Sequence, residues 1–292
     1  MTFKGSMVAL VTPFKNGKVD EKALESLVEF HIKNGTSALV PCGTTGESAT
    51  LSYDEHDRVI ELVIEFAKGR VPVIAGTGSN ATDEAIALTK HAKSAGAAAS
   101  LQVSPYYNRP TQKGLYLHFK AIAEAVDIPI ILYNIASRTG VNIEPETFAK
   151  LAEDAKNIIG VKEASGSLEQ MARIRKLCPK EFLLISGDDA LTLPVMAIGG
   201  VGIISVVANI IPRDVADMCA AFENGNLKKA QALHYKMLNL VKAMFVEINP
   251  MPVKTAMSLM KMCGPEIRLP LCEMVPENKE KLVKALKEYG VI

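Results

Sequence analysis

The run Ile158-Ile159-Gly160-Val161-Lys162 decides how this chain is read. It is apolar without polar alternation, as a strand buried on both faces of a parallel sheet is. Working outward, runs of the same kind recur at 7–12, 38–40, 73–75, 99–103, 130–134, 183–186 and 203–206, eight in all. From Thr12 to Ser205 is 193 residues over seven intervals, about 28 each, which suits one βα unit.

Amphipathic segments fill the intervals. Residues 21–34 put Leu24, Leu27, Val28 and Ile32 on one stripe, and 54–68 do the same with Val59, Leu62, Val63 and Phe66. Segments 82–95, 113–126, 144–152, 168–177, 190–198 and 213–224 continue the alternation. Asp20, Ser52 and Thr82 stand where helix caps are expected, the last with an acidic first turn. Eight βα units predict a closed (β/α)8 TIM barrel over 1–224. A doubly wound open sheet shares the alternation. It is disfavoured because no Gly-x-Gly-x-x-Gly opens the first helix and eight units is the closing number. Residues 225–292 read as a C-terminal helical extension at 227–246, 252–263 and 276–289, packed on the barrel, since no low-complexity linker precedes it.

Composition excludes several classes. The chain has 292 residues, 48% apolar and 22% charged, and 33 basic against 32 acidic side chains leave a net charge of +1. Disordered chains are poorer in apolar residues, and nucleic-acid binders carry a basic excess. Five cysteines without a Cys-x-x-Cys pair point away from disulfides and zinc ribbons and towards a reducing cytoplasm. Five histidines, none four apart, indicate no metal site. No secretory signal is read at the N-terminus. Residues 190–212 carry no charge, but Pro194, Gly199, Gly200, Gly202 and Asn209 interrupt them. A buried helix followed by a buried strand fits better than a membrane span.

Barrel enzymes build their sites at the C-terminal ends of the strands. Lys162 ends its strand there. Burial would lower its pKa and free the amine for attack on a carbonyl; a lysine snorkelling to solvent or paired with Glu163 is the plainer alternative. Tyr133 ends the neighbouring strand, as a hydroxyl for proton transfer or as a core tyrosine. Thr44 and Thr45, between Gly43 and Gly46, offer hydroxyls and amides that suit a small carboxylate, though the same string makes an ordinary turn. Arg138 suits a second carboxylate or plain solvent exposure. Cys42 reads as a buried small residue. The glycine run 199–202 precedes the last strand and falls on the opposite, stability face.

Four strings together, Gly-Thr-Thr-Gly-Glu at 43–47, Ser-Pro-Tyr-Tyr-Asn-Arg-Pro at 104–110, Tyr-Asn-x-x-Ser-Arg-Thr-Gly at 133–140 and Gly-Val-Lys-Glu-Ala-Ser-Gly at 160–166, resemble the dihydrodipicolinate synthase family. That family lies in the pyruvate-dependent class I aldolase group, with N-acetylneuraminate lyase, and the likeness covers essentially the whole chain. It implies condensation of pyruvate with aspartate semialdehyde, on the route to diaminopimelate and lysine. Lys162 would form the imine, so no metal or other cofactor is needed. Tyr133, Thr45 and Tyr107 would relay protons, with Tyr107 supplied by a neighbouring subunit. Thr44 and Thr45 would hold or adjoin the pyruvate carboxylate. Arg138 would clamp the semialdehyde, and Gly187 and Ile204 would line the pocket. A homotetramer built as a dimer of dimers is implied.

The resemblance also matches Ser48, Ala49, His56, Asn80, Glu84 and Tyr106 to positions that bind inhibitory lysine, with Tyr53 where sensitive members often carry histidine. Two departures stand out. Ile135-Ala136 replaces the usual proline before Ser137, which predicts a looser Arg138. The run 96–99 lacks an acidic residue common there. Two competing readings remain: a related lyase or keto-deoxy-sugar-acid aldolase, and a catalytically silent metabolite-binding barrel. Arg138 argues against a polyol-binding lyase, and retention of Lys162, Tyr133 and Thr45 argues against a silent barrel.

Overall fold

The computed structural model describes residues 3–292. Eight parallel strands, Gly5–Ala9, Ala38–Val40, Ile74–Gly76, Ala99–Val103, Ile130–Asn134, Ile158–Glu163, Leu183–Ser186 and Gly202–Ser205, form the barrel. Each pairs with its sequence neighbour, the first also pairs with the eighth, and a parallel bridge from Leu39 to Val73 closes the ring between second and third. Met7, Val40, Ile74, Leu101, Ile131, Ile185 and Ile204 fill the interior. The outward faces of the strands pack against the helices, which is why the strand sequences do not alternate.

The boundaries differ where side chains take over backbone groups. The first strand stops at Ala9, because Asn209 Oδ1 accepts from Val11 N at 3.3 Å and Thr12 Oγ1 donates to Gly46 O at 2.7 Å. A small hairpin, Phe14–Lys15 with Lys18–Val19, follows. Its turn is Asn16-Gly17, both at positive φ, the dipeptide that tight hairpins favour. Asp20 caps the first helix, and Ser52 with Glu55 makes a reciprocal capping box on the second. Thr82 is not a cap. Ala81 occupies that position without a side-chain bond, and the Thr82 hydroxyl lies 2.9 Å from His118 Nδ1. The expected helix 190–198 begins as a 3₁₀ turn, Asp189–Leu191, and becomes α only over Thr192–Ala197.

The uncharged stretch is a buried helix and strand, and among the described residues no helix is long and apolar enough to cross a membrane. Gly202 (φ 149°) lies against the Gly5 backbone at the N-terminal end of the barrel, where no Cβ fits, so the glycine run is on the face away from Lys162. The extension helices Leu227–Ala243, Met251–Leu259 and Pro276–Tyr289 share one apolar cluster with the barrel, through Met237, Leu240, Val253, Met257 and Leu286.

Candidate active site

Lys162 and Tyr133 are register partners on adjacent strands, and both point inward at the C-terminal rim. Lys162 is 5% exposed, and its Nζ lies 4.2 Å from the centre of the Tyr133 ring. Glu163 faces the other way. Its carboxylate accepts from Asn134 Nδ2 at 3.0 Å, Gln170 Nε2 at 3.1 Å and Ser165 N at 2.7 Å. No salt bridge therefore joins it to Lys162. Burial pushes the Lys162 amine down to about 8, with Asp189 opposing and the Arg138 charge assisting. Burial drives the Tyr133 phenol up to about 12, while Arg138 and the Thr44 hydroxyl pull the other way.

The Gly43–Glu47 turn carries the two threonines. It is closed by Gly46 N donating to Gly43 O and Glu47 N donating to Thr44 O, each at 3.1 Å. The threonine hydroxyl that bears on the Tyr133 phenol is that of Thr44, which holds the phenol's pKa down against burial. Thr45 is buried, and its Oγ1 accepts from Asn249 Nδ2 at 3.0 Å. The turn is entered and left through left-handed residues, Cys42 and Glu47, both at φ 55°. Cys42 is buried, its thiol pushed far up by desolvation, as befits a packing residue.

Glu47 is fully buried and bonded to Lys254 of the extension at 2.5 Å. Arg268 N also donates to it, at 3.1 Å. Lys254 Nζ donates as well to Glu266 O at 2.8 Å and sits 4.2 Å over the Phe14 ring. The extension is thus locked onto the threonine turn by buried charge.

Arg138 rides on a short helix, Ala136–Thr139, whose backbone bonds return to Ile135 O. Its Nη2 donates to Asn249 O at 3.0 Å. The short turn and Asn249 O are what hold the arginine where the usual proline is missing. Gly187 packs beside Lys162: a Cβ there would stand 2.8 Å from Ala164 Cβ and 3.2 Å from Lys162 Cε. Ile204 is buried inside the barrel. Tyr107, at φ 71°, is 92% exposed, so within one chain it does not join Tyr133.

Ser48, Ala49, Tyr53, His56, Glu84 and Tyr106 line a cavity of about 660 Å³ that also reaches Thr44 and Arg138. Asn80 is not on its wall; its Nδ2 donates to Tyr106 O at 3.2 Å. Tyr53 donates its hydroxyl to Glu84 at 2.5 Å, which raises the phenol's pKa. His56 is buried with Nε2 2.9 Å from Gly76 O. A second cavity of about 510 Å³, with Gly187, Asp188 and Phe245, lies across Arg138 and Asn249, which line both.

Two contributors carry no motif. Asp189, buried and held by Ser205 Oγ at 2.5 Å, Val206 N at 3.0 Å and Val207 N at 3.2 Å, is the carboxylate that opposes the fall in the Lys162 pKa. Its Gly-Asp-Asp string is visible in the sequence. Asn249 belongs to the extension, and only its Asn-Pro turn marks it. Among the described residues no three His, Cys, Asp or Glu side chains stand together as metal ligands.

The likeness to known proteins runs the length of the chain. A 4-hydroxy-tetrahydrodipicolinate synthase of Syntrophus aciditrophicus is 60% identical over 290 residues, 99% of each chain. The crystal structure of dihydrodipicolinate synthase from Aquifex aeolicus superposes with a TM-score of 0.98 at 52% identity, over 99% of each chain. The enzyme from Cyanidioschyzon merolae, solved with lysine bound, gives 0.96 at 43%, again over 99% of each. The Dihydrodipicolinate synthetase family model matches residues 2–289, so a barrel with a buried lysine against a buried tyrosine, and a threonine turn beside them, belongs to that family.

Proposed function

We propose that this chain is a lyase working in the bond-forming direction. It condenses pyruvate with aspartate semialdehyde to give 4-hydroxy-tetrahydrodipicolinate, on the route to diaminopimelate and lysine. The observation that carries this is Lys162: buried at a strand end, in no salt bridge, with its amine pushed down to about 8. Near-neutral pH then supplies free amine.

Nζ attacks the ketone carbon of pyruvate, and water leaves to form the imine. The protonated imine is the electron sink for loss of a methyl proton, so no metal or organic cofactor is required. The resulting enamine attacks the aldehyde carbon, and the amine of the condensed semialdehyde then adds to the imine carbon and displaces the Lys162 amine, closing the ring and freeing the lysine. Tyr133, Thr44 and Tyr107 of a neighbouring copy relay the protons. Thr45 and the amides of its turn take the pyruvate carboxylate. Arg138 takes the carboxylate of the semialdehyde. Gly187 and Ile204 shape the pocket, Gly187 by leaving room beside the Lys162 stem.

The exposure of Tyr107 supports an assembly in which a second copy completes each site, and we assign a tetramer built as a dimer of dimers. Five free cysteines fit a reducing cytoplasm. Lysine is assigned as a feedback inhibitor in the cavity of Tyr53, His56 and Glu84, on the strength of the lysine-bound relative.

The test is pyruvate with borohydride, read as a mass shift on Lys162, followed by pyruvate consumption with aspartate semialdehyde beside N-acetylmannosamine. Trapping on Lys162 and consumption with the semialdehyde alone is the expected result. Consumption with the sugar alone overturns the acceptor assignment, and no trapping overturns the Schiff base.

A further inference from the structure

One residue of the extension touches both carboxylate grips. Asn249 Nδ2 donates to Thr45 Oγ1 at 3.0 Å, and Asn249 O accepts from Arg138 Nη2 at 3.0 Å. Asn249 is 5% exposed and lines both cavities that meet at Arg138. Its position is fixed from behind. Lys254 N donates to Pro250 O at 3.0 Å, and the Lys254 ammonium is bonded to Glu47, two residues beyond Thr45. The threonine turn is therefore gripped twice from one short stretch of the extension, by an ion pair at Glu47 and by an amide at Thr45.

The direction of the amide bond matters. A threonine hydroxyl has one proton to give and two lone pairs. With a lone pair occupied by Asn249 Nδ2, the Thr45 O–H is free to donate, and a carboxylate accepts only. Without that partner the hydroxyl can spend its proton on a nearby backbone carbonyl, as threonines do. The other end of the amide, Asn249 Oδ1, is buried without a hydrogen-bond partner. A buried unpaired acceptor is costly. An asparagine kept only for packing would have both ends satisfied or be apolar.

We infer that Asn249 is a positioning residue for the first half-reaction: it turns the Thr45 hydroxyl towards the carboxylate of the keto acid and holds Arg138 in place for the second substrate. This rests on the Schiff-base reading above and extends it to a residue outside the barrel. Losing one hydrogen bond of this kind weakens binding by about fivefold to tenfold. Imine chemistry at Lys162 stays intact, so the change falls on KM for pyruvate rather than on kcat.

The experiment measures the pyruvate concentration that half-saturates borohydride trapping on Lys162, in the full chain. The variants are Asn249→Ala, the isosteric Asn249→Asp, Thr45→Val, and Asn249→Ala combined with Thr45→Val. Asn249→Asp carries the test if the alanine variant does not fold, since it keeps the volume and the backbone carbonyl but offers Thr45 an acceptor in place of a donor. Expected are a rise of about fivefold to tenfold for Asn249→Ala, at least as large for Asn249→Asp, an unchanged maximal trapped fraction, and less than a further twofold change in the Thr45→Val background. Unmoved pyruvate dependence with a lowered melting temperature makes Asn249 a structural residue and overturns the inference. So do effects of Asn249→Ala and Thr45→Val that simply multiply. Absence of trapping in the parent chain instead overturns the Schiff-base reading itself.

Discussion

Removing the ammonium of Lys254 tests whether the extension is held to the site by charge. The Lys254 and Glu47 side chains are 1% and 0% exposed, and each is the other's ion partner. Lys254→Met keeps much of the chain length and the contact with Phe14 but strips the donor from Glu47 Oε1 and from Glu266 O. Glu47 is left as a buried carboxylate with the Arg268 N–H as its remaining donor. Breaking one side of a buried pair costs about 3–5 kcal/mol, because the surviving charge stays desolvated. Unfolding entropy of about 2.1 cal/mol/K per residue gives about 0.6 kcal/mol/K over 292 residues. A loss of about 4 kcal/mol then lowers the melting midpoint by about 6–7 °C. Glu47→Gln combined with Lys254→Met removes both charges and recovers most of that loss. The assay is a thermal melt at fixed scan rate and fixed protein concentration, since assembly shifts midpoints by mass action. A single variant within about 1 °C of the parent, or a double variant worse than either single, refutes the reasoning; the ratio follows from the same entropy.

Further predictions concern the lysine, its neighbours and the outer cavity. The rate of borohydride trapping rises with pH through a midpoint near 8, and Asp189→Asn moves that midpoint down, since Asp189 favours the ammonium; a midpoint near the ordinary lysine value rules out the buried free amine. In the folded chain Lys162 releases its proton near 8, well below an unfolded lysine at about 10.4, so the unfolded state binds more protons between those values. Stability supplied by this group therefore increases as pH climbs through that window, and Lys162→Met removes the increase in urea melts. Gly187→Ala brings a methyl to 3.2 Å from Lys162 Cε and should slow trapping at least tenfold in a chain whose circular dichroism is unchanged; trapping at the parent rate refutes the close approach. Millimolar lysine is expected to inhibit the condensation and Glu84→Gln to relieve it, read in the coupled assay; no inhibition of the parent chain removes the regulatory assignment.

The barrel was legible because it is periodic. Eight unbroken apolar runs at one spacing leave few topologies, and burial on both faces explains why those runs do not alternate. What stayed hidden were features made by single contacts. The Asn16-Gly17 hairpin is too short to register as an element. Thr82 looked like a cap because caps are recognised by residue type, yet its hydroxyl is occupied across a helix interface by His118. The end of the first strand depends on Asn209, nearly two hundred residues away in sequence.

The site divides along the same line. Lys162 and Tyr133 were readable as strand-end residues, and the barrel's sequential order puts their strands side by side. Which of two adjacent threonines bears on the tyrosine was not readable, because consecutive residues of a turn have no fixed period that assigns them to a face. The turn's direction is set by Cys42 and Glu47 in left-handed conformations, and by a lysine and an asparagine more than two hundred residues further on. A motif marks where the chemistry lies, and distant side chains decide which of its atoms take part. Deleting the extension would free Glu47 of its counter-ion, Thr45 of its donor and Arg138 of its acceptor at once. The extension therefore fixes the threonine turn and Arg138 as well as completing the core.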